Sequence, residues 1–582
     1  MNYMNRKLTN RFFVGTRRAT LRRICIIALL PLLYACTSLD DRVYSEIVAE
    51  KYEPTPLDGL AKVGSAYTPL KGLMCRMLLG CNWDNDQCFC PVKPWGWTYT
   101  YQLFNHNYSS TSPEIDGPWN SCYGGITACN RTISQLQAEE PDEQTDNLIK
   151  EMQALRSYYY YVLCDLYGNV AWSDTYYGDE DYLPERIERA ALAEKIEQTL
   201  LNALPGLLTD VSKKTYGRFT RWAALATLAK LYQNWGVFVY ADGDKGRWED
   251  CLAVCDEIIN SGYFKLSSSQ KDIFIAKNDF NSEAIFAVIF DQRMAKGLSL
   301  FTTNLNGQHA QTYQITGGWG NGGSIMVPQF IDSFDPEDRR LRQNHLYGPQ
   351  YDADGNLMKC GLGSIAGEDF VIVNEVLSCE GSTGDNCTEN MGYRLAKYEY
   401  EMGLDGDNMN NDVFPLRYTD ILMTKAECLL RLGHAEEAAE LVSSVRFRAF
   451  SNREKAIVTG AELQSGSLYA YGVKECIPKR GKYPKNEDGT WKYTTSAPTD
   501  PDAGGSDIVY GRMLDELGWE FEQEAFHRRQ DLIRFKTTSG EPVWTAKSWS
   551  SHHATHNINK ILYPIMLKEL QANPNLIQNE GY

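Results

Sequence analysis

Long hydrophobic runs, an excess of basic charge and the common catalytic signatures are all missing from this 582-residue sequence. Its one notable apolar run, Ile24 to Leu33, is too short to span a bilayer as a stable helix. Acids outnumber Lys and Arg by 75 to 58, and a chain with a net charge of −17 repels nucleic acid and anionic lipid headgroups. The sequence also has no HExxH zinc motif and no G-x-S-x-G nucleophile elbow. These absences argue against a nucleic-acid-binding protein, a bundle of transmembrane helices and a zinc peptidase.

The first 35 residues predict an export signal. They carry seven Arg or Lys and no acid, ahead of the short apolar run. The run ends in Leu33-Tyr34-Ala35-Cys36, which resembles a bacterial lipobox, in which the Cys thiol takes the lipid. Cys36 is therefore the predicted lipidation site, and a secreted protein with an unmodified Cys36 is the alternative. Losing the leader's seven cations changes the net charge from −17 to −24, so we expect a ligand that is neutral or not selected by charge.

Sixteen cysteines are present, one of them, Cys25, in the leader. Export permits disulfides. The pair Cys88 and Cys90 lacks the repeated CxxC spacing of a structural zinc site. We therefore expect disulfides or buried thiols, and the sequence does not decide the pairing.

Helical hairpins dominate the predicted fold. Asn147–Trp172 repeats apolar residues at helical spacing until Gly168 stops the pattern, and it is predicted to pair with Glu188–Leu204. Two more pairs are predicted, Phe219–Trp235 with Trp248–Asn260 and Tyr418–Leu432 with Ala435–Arg446. The last pair has the small-residue and Leu spacing of a tetratricopeptide repeat. The fold class is thus mostly α, with a spine of tetratricopeptide-like hairpins.

Irregular sequence interrupts this spine. Tyr263–Phe414 separates the second hairpin from the third and contains the β-prone runs Ala284–Phe290 and Phe370–Val373. Gly460–Ser506 is a second loop-rich stretch, and Ile508–Phe535 is predicted as one last helix. We therefore expect a large irregular region with short strands, and long loops of this kind often carry function.

Aromatic residues concentrate in two irregular segments. Flat rings stack on the C–H faces of sugar rings, while carboxylates and amides fix the hydroxyls. The alternative is that these rings pack onto the helices, as expected for Trp222 and Trp235. The predicted ligand-binding residues are Trp83, Asn85, Asp86, Trp95, Trp97 and Tyr99 in the first segment, and Tyr313 and Trp319 in the second.

Other candidate sites have weaker support. Gly318–Gly323 matches G-x-G-x-x-G without the flanking strand and helix of a dinucleotide site, so we predict a flexible aromatic loop. The histidines near Trp549 lack a carboxylate or Cys at ligand spacing. Asp405–Asp412 and Asp352–Asn356 read as turns, with a structural calcium ion as the alternative. We predict no catalytic residue, cofactor or metal, although two carboxylates placed by the fold would suffice for a secreted carbohydrate-active enzyme, which is an alternative function.

Short segments along the whole chain match one known family in order. They are Ala154–Tyr160 with Asp165–Gly168, Gly217-Arg218, Leu416–Leu422, Arg528–Arg534 and Tyr563–Ile565. In this order they resemble the SusD/RagB family, the outer-membrane nutrient-binding lipoproteins of Bacteroidota.

The resemblance implies a rigid helical spine, an irregular half that carries ligand contacts, often in the two aromatic segments, and no chemistry. It implies a lipid-anchored protein on the outer face of the outer membrane. Such a protein binds oligosaccharide or polysaccharide and delivers it to a SusC-like TonB-dependent transporter. A receptor for peptide or glycoprotein-derived ligands, of the RagB type, is the alternative. The implied organisation is a signal peptide at 1–35, a helical part at 36–262 and a C-terminal part at 263–582, intertwined as one unit.

Overall fold

The computed structural model describes residues 56–582, apart from residues 80–82, 92–97, 177–181, 380–386, 478, 480, 481, 498 and 499. Over this part of the chain, residues from Leu57 to Tyr582 form a single compact unit. The helices are α1 Pro56–Leu79, α2 Thr98–Phe104, α3 Asp116–Gln137, α4 Glu143–Leu166, α5 Arg189–Ala203, α6 Arg221–Gln233, α7 Trp235–Tyr240, α8 Trp248–Asn260, α9 Leu300–Asn304, α10 His309–Tyr313, α11 Pro328–Asp332, α12 Arg339–Gln343, α13 Tyr418–Arg431, α14 Ala435–Arg446, α15 Arg453–Ala456, α16 Gly460–Leu463, α17 Gly511–Phe521, α18 His527–Arg534, α19 Val543–Ala546 and α20 Leu567–Ala572.

The strands are short and form small sheets of two or three strands, so the fold is mostly α, as predicted. They are β1 Cys88–Phe89, β2 Val170–Ala171, β3 Arg186–Ile187, β4 Ala284–Val288, β5 Ile325–Met326, β6 His345–Leu346, β7 Gly348–Pro349, β8 Val371–Ile372, β9 Arg394–Leu395, β10 Val413–Arg417, β11 Gly472–Glu475, β12 Thr494–Thr495 and β13 Trp549–Ser550.

Helix α4 lies at the centre of the core. Its first turn is capped by Asp142, whose side chain accepts from the N–H of Thr145 at 2.6 Å. It ends as predicted before Gly168, which has a φ of +71°. The four tyrosines at 158–161 are all buried, and Tyr159 packs so tightly on Gly125 of α3 that no side chain fits there. The helix is therefore enclosed by its neighbours, as its wide apolar surface requires.

The three predicted hairpins stack into a continuous spine. Helix α4 packs on α5, α6 packs on α8, and α13 packs on α14. Helix α13 also lies against α8, although most of the irregular sequence separates them in the chain. A buried ion pair of Lys230 with Asp420, at 3.1 Å, joins the second hairpin to the third. The insertion therefore leaves the stacking of the spine intact.

The two ends of the insertion are joined by one small sheet. Strands β4 and β10 pair antiparallel, with Val288 opposite Val413 and Phe286 opposite Leu416. Because β4 lies near the start of the insertion and β10 at its end, their pairing closes its base.

The prediction of one helix over Ile508–Phe535 is wrong. The structure has two helices, α17 and α18, separated by a turn in which Gln523 and Phe526 have φ angles of +54° and +77°. The segment alternates acids and bases, but Glu520 and Glu524 are buried and pair with buried arginines. Tertiary ion pairs thus override the helical pattern.

Arg417 is the centre of this buried ion-pair network. It has no exposed surface and donates to Glu524 Oε2 at 2.6 Å, Glu283 Oε2 at 3.1 Å and Glu520 Oε1 at 3.0 Å. Arg448 donates to Glu283 and Glu520 at 2.5 Å each. Burial raises the pKa of Glu520, but Arg448 and Arg417 outweigh it and hold that pKa well below its usual range. The network ties β10, at the base of the insertion, to the C-terminal helices.

The described cysteines are buried, except for the half-buried Cys75. Cys251 and Cys255 of α8 lie beside Cys428 of α13, and burial raises the pKa of the Cys251 and Cys428 thiols. These thiols therefore fill the seam between two hairpins. No helix of the described residues is long and apolar enough to cross a membrane.

Candidate functional site

The two aromatic segments predicted as the binding region lie side by side. Strands β1 and β5 pair antiparallel, with Cys88 opposite Met326. Beside them the indole N–H of Trp83 donates to Ser324 Oγ at 2.8 Å. These two residues are 241 positions apart in the chain, so tertiary folding brings the first segment against the Gly-rich loop, residues 315–324, that leads into β5.

The Gly-rich loop, predicted to be flexible, is hydrogen-bonded along its length. The N–H groups of Asn321 and Gly322 donate to carbonyls at the end of α9, at 2.8 and 2.7 Å. Gly318 has a φ of +78°, a backbone conformation that glycine adopts without strain. Gly320 lies so close to the carbonyl of Asn306 that a Cβ would collide with it. The glycines therefore shape a fixed loop with Trp319 at its tip.

Trp319 is the exposed aromatic residue of this loop. Its side chain is 67% exposed, and it is the only exposed tryptophan among the described residues. The ring crosses Gly307, where an added Cβ would lie 2.7 Å from the indole. The backbone of Gly307 thus supports part of the ring, and most of the rest is exposed to solvent. A flat ring held in this way is a suitable platform for the apolar face of a sugar ring.

Tyr313, the second predicted residue of this segment, is half-buried. Its ring packs edge-to-face on Phe301 and Tyr400, with centroid distances of 5.9 and 5.6 Å. Burial raises the pKa of Tyr313 to about 12, so its phenol is neutral near pH 7. Within the described residues its hydroxyl has no hydrogen-bond partner, and it therefore has a donor to offer a ligand.

Sequence reasoning missed the polar residues next to Trp319. Gln308 follows Gly307 and donates to Glu389 Oε1 at 2.5 Å. Glu389 Oε2 accepts from the N–H groups of Gly361 and Leu362, at 2.6 and 3.1 Å. The side chain of Leu362 is 53% exposed. The only sequence signal here was Asn306-Gly307, a turn dipeptide in front of a polar amide.

A buried histidine holds the seat of Trp319. His309 Nδ1 accepts from the N–H of Asn306 at 3.1 Å, and its other ring nitrogen lies 3.2 Å from Gln350 Oε1. Since Nδ1 accepts, the ring is neutral and its proton is on Nε2. Burial lowers the pKa of His309 to about 4.

Lowering the pH should therefore reduce the contribution of His309 to the free energy of unfolding. Its pKa is near 6.5 when unfolded and about 4 when folded, so this stability is complete above pH 6.5 and is lost as the pH falls towards 4. Between pH 7.5 and 5 the loss is about 2 kcal/mol. We expect the difference in unfolding free energy between the unmodified protein and His309→Gln to shrink by that amount in urea titrations. A difference that stays constant with pH would contradict this assignment.

The polar residues of the first segment face inwards. Asp86 is fully buried and accepts from Arg528 Nε and Nη2, both at 2.6 Å, and from the hydroxyl of Tyr471 at 2.8 Å. Asn85 is 1% exposed and accepts from the N–H of Gln87 at 3.0 Å. Trp83 is also buried. In this structure the predicted residues Trp83, Asn85 and Asp86 are therefore supports for the site and do not face solvent.

The rest of the first segment is described only in part. Trp95 and Trp97 lie outside the described residues, and Tyr99 lies in α2 without a described side chain. The hydroxyl of Thr100 donates to the carbonyl of Cys90 at 2.8 Å. The two ends of the segment that carries these aromatic residues are therefore fixed next to each other beside β1.

The remaining candidate sites serve local structure. Asp352 accepts from the N–H groups of Asp354 and Asn356, and Asp405 accepts from that of Asp407, which are turn interactions. The G-x-G-x-x-G segment, residues 318–323, precedes strand β5 and not a phosphate-binding helix. No cluster of potential metal ligands occurs in the described part of the chain. The histidines differ: His552 is buried against Trp549, whereas His553 and His556 are exposed.

Comparisons with known proteins agree on one family. A family model described as "SusD family" matches residues 282–582, and one described as "Starch-binding associating with outer membrane" matches residues 92–233. The chain is 22% identical to a SusD-like protein of Formosa agariphila, over 96% of this chain and 99% of that protein. It is also 22% identical to the starch-binding protein SusD of Bacteroides thetaiotaomicron, over 87% of this chain and 85% of that protein.

Solved structures share the fold. A SusD superfamily protein from Parabacteroides distasonis has a TM-score of 0.64 and 17% identity, covering 91% of this chain and 100% of that one. Surface glycan-binding protein A from Bacteroides thetaiotaomicron, solved with laminarihexaose, has a TM-score of 0.59 and 18% identity, covering 90% and 100%. Since the first family model alone spans more than half of the 582 residues, the chain belongs to the SusD family.

Proposed function

We propose that this protein binds an oligosaccharide or polysaccharide and delivers it to a partner TonB-dependent transporter of the SusC type. The observation that carries the proposal is Trp319, an exposed ring seated on Gly307, in the Gly-rich loop that contacts the first aromatic segment through Ser324. The phenol of Tyr313 and the amide of Gln308 lie along the same stretch of chain and offer hydrogen bonds to hydroxyls. Trp95, Trp97 and Tyr99 stay proposed contacts on the neighbouring segment. The glycan named for a solved relative supports this ligand class.

We further propose that the protein binds without catalysis. The carboxylates around the Gly-rich loop are already engaged: Asp405 accepts from Asn408 at 2.8 Å, and Asp407 accepts from Thr302 at 2.6 Å. A glycosidase needs two carboxylates that face the scissile bond. Incubation with oligosaccharides should therefore yield no new reducing ends, whereas a glycan array should yield binders. Binding to peptide arrays alone would favour the peptide-receptor alternative.

Lipid anchoring at Cys36, which lies outside the described residues, gives a direct test of location. Cys36→Ala should release the protein from membranes, because a covalent lipid supplies far more apolar burial than an acidic surface can. Metabolic labelling with palmitate, followed by membrane fractionation, measures both effects. Cys75→Ala, at the half-buried thiol, is the matched control and should leave labelling unchanged. Label that persists in Cys36→Ala would mean that another residue carries the lipid.

Docking to the transporter is proposed for the helical spine, because stacked hairpins offer an extended rigid surface. We expect the tagged protein to co-purify in mild detergent with a large β-barrel partner from its native cells. Recovery as a lone monomer from cells that express the transporter would count against the delivery role. It would leave the proposal of glycan binding untouched.

A further inference from the structure

An exposed hairpin carries a cluster of positively charged side chains. Strands β11 and β12 pair antiparallel. In the chain between them, isolated antiparallel β-bridges join the backbones of Lys479 and Lys482 and of Lys485 and Trp491. Lys479, Lys482, Lys485 and the adjoining Lys492 are all exposed. Within the described residues, none of the four ammonium groups has a carboxylate within 4.0 Å. We refer to these four residues as the lysine cluster.

The arrangement is unfavourable for the protein alone. Lys479 and Lys482 stand opposite each other across the hairpin, and like charges in that position destabilise strand pairing. Some other lysines of this chain, such as Lys455 and Lys536, each contact two acids, whereas Lys479 faces a second lysine. A bound anion would remove this repulsion, which points to an external partner for the cluster.

The acids of the hairpin do not neutralise the cluster. Asp488 Oδ1 is used in the turn, where it accepts from the N–H and hydroxyl of Thr490 at 3.0 and 2.6 Å. Glu487 is exposed beside it at the tip of the turn, and Glu475 lies 4.0 Å from His553. The clustered ammonium groups thus remain available.

Aromatic rings accompany the lysines. The Lys485 ammonium lies 4.2 Å from the ring centroid of Trp491, a cation–π contact that orients both groups. Trp491 and Tyr493 are half-buried and keep part of each ring at the surface. Rings and cations on one surface match a ligand that has both apolar sugar faces and anionic substituents.

The base of the hairpin is fixed to the framework of the aromatic site. Tyr471, directly before β11, donates to Asp86 Oδ2 at 2.8 Å. Gln329 of α11, which follows β5, donates to the carbonyl of Gly472 at 2.9 Å. The lysine cluster and the Gly-rich loop therefore extend from one hydrogen-bonded scaffold.

We propose that the lysine cluster is a second contact surface for the glycan, and that the ligand is an anionic polysaccharide with carboxylate or sulfate groups. The inference rests on the proposed glycan-binding function and replaces the expectation of a ligand that is neutral or not selected by charge. A polysaccharide is favoured over lipid phosphate, because the scaffold joins the cluster to the Trp319 platform. In addition, the protein as a whole is acidic, so an anionic membrane would repel it.

Two matched polymer pairs test the charge requirement, polygalacturonate against its methyl ester and dextran sulfate against dextran. The charged member of at least one pair should bind more tightly, and binding should weaken as NaCl rises from 50 to 500 mM. Replacing all four lysines of the cluster by Gln should weaken that binding about tenfold or more, because four weak, exposed ion pairs with the ligand are lost together. The control replaces the exposed residues Lys214, Lys265, Lys271 and Lys296 by Gln, with the same change in net charge and no expected loss.

The outcomes separate this inference from the proposed function. Equal binding of charged and neutral polymers, or unchanged affinity in the cluster variant, would overturn the inference alone. So would cluster-dependent binding to phosphatidylglycerol vesicles without binding to either anionic polymer, which would assign the cluster to lipid phosphate. Failure of every polymer and of a neutral glycan array would overturn both proposals.

Discussion

Trp319→Ala is expected to abolish measurable glycan binding while leaving the fold intact. A few aromatic residues usually carry most of the energy of a binding surface, and loss of one such contact costs at least about 2 kcal/mol. Since the indole is 67% exposed, its removal opens no cavity in the core. Isothermal calorimetry with the best glycan from an array would measure the loss, and a thermal melt would show an unchanged midpoint.

Gly307→Ala tests the geometry of the platform without removing the ring. Its Cβ would lie 2.7 Å from the indole, so the ring must move from its seat and affinity should fall, although less than in Trp319→Ala. Tyr240→Ala is the control: Tyr240 is 57% exposed at the end of α7 in the spine, and its removal should not alter glycan affinity. Binding at full affinity in Trp319→Ala, or a lowered melting midpoint, would show that the ring is a packing residue.

Arg417→Ala is expected to cost about 3–5 kcal/mol of unfolding free energy, because it removes the cation that three buried carboxylates share. Glu283, Glu520 and Glu524 each pair with this guanidinium, and Arg448 and Lys397 alone cannot compensate all three charges. Urea titration would measure the loss. Arg417→Lys should recover only part of it, since one ammonium cannot reproduce three directed contacts.

A surface ion pair supplies the control for Arg417. Lys359 and Asp369 form a pair whose side chains are 61% and 52% exposed, so Lys359→Ala should change the unfolding free energy little. If Arg417→Ala were as mild as Lys359→Ala, the buried network would not hold the insertion to the C-terminal helices. The network should also weaken in acid. The pKa of Glu520 lies below its usual range, so its contribution is present above pH 4.5 and is lost as the pH falls.

The sequence predicted correctly those features that depend on residues close to one another in the chain. The apolar spacing of α4, its end before Gly168 and the pairing of α13 with α14 all depend on contacts within one or two turns of helix. Sequence reasoning failed for Ile508–Phe535, where the pattern predicts one helix and the structure has two. The carboxylates there pair with Arg417 and Arg448, which are distant in sequence, so no local pattern reports these contacts.

The candidate site shows the same division. Composition predicted that the segments around Trp83 and Trp319 are aromatic and irregular, but burial depends on what each ring meets. Trp83 meets Ser324 and is buried, whereas Trp319 lies on Gly307 and is exposed. Exposure of a single ring is a property of the assembled surface, and no local pattern encodes it.

By itself the sequence determined the helical hairpins and located the two aromatic segments, and it predicts an export leader, because each of these is written in residues that are close together along the chain. Only the tertiary structure decided that Asp86 pairs with Arg528, that the insertion closes on one small sheet and that the lysine cluster has no carboxylate within 4.0 Å among the described residues. The first two features depend on residues that are far apart in the chain. Their energies come from desolvation and charge pairing, which exist only after the chain has brought the partners together.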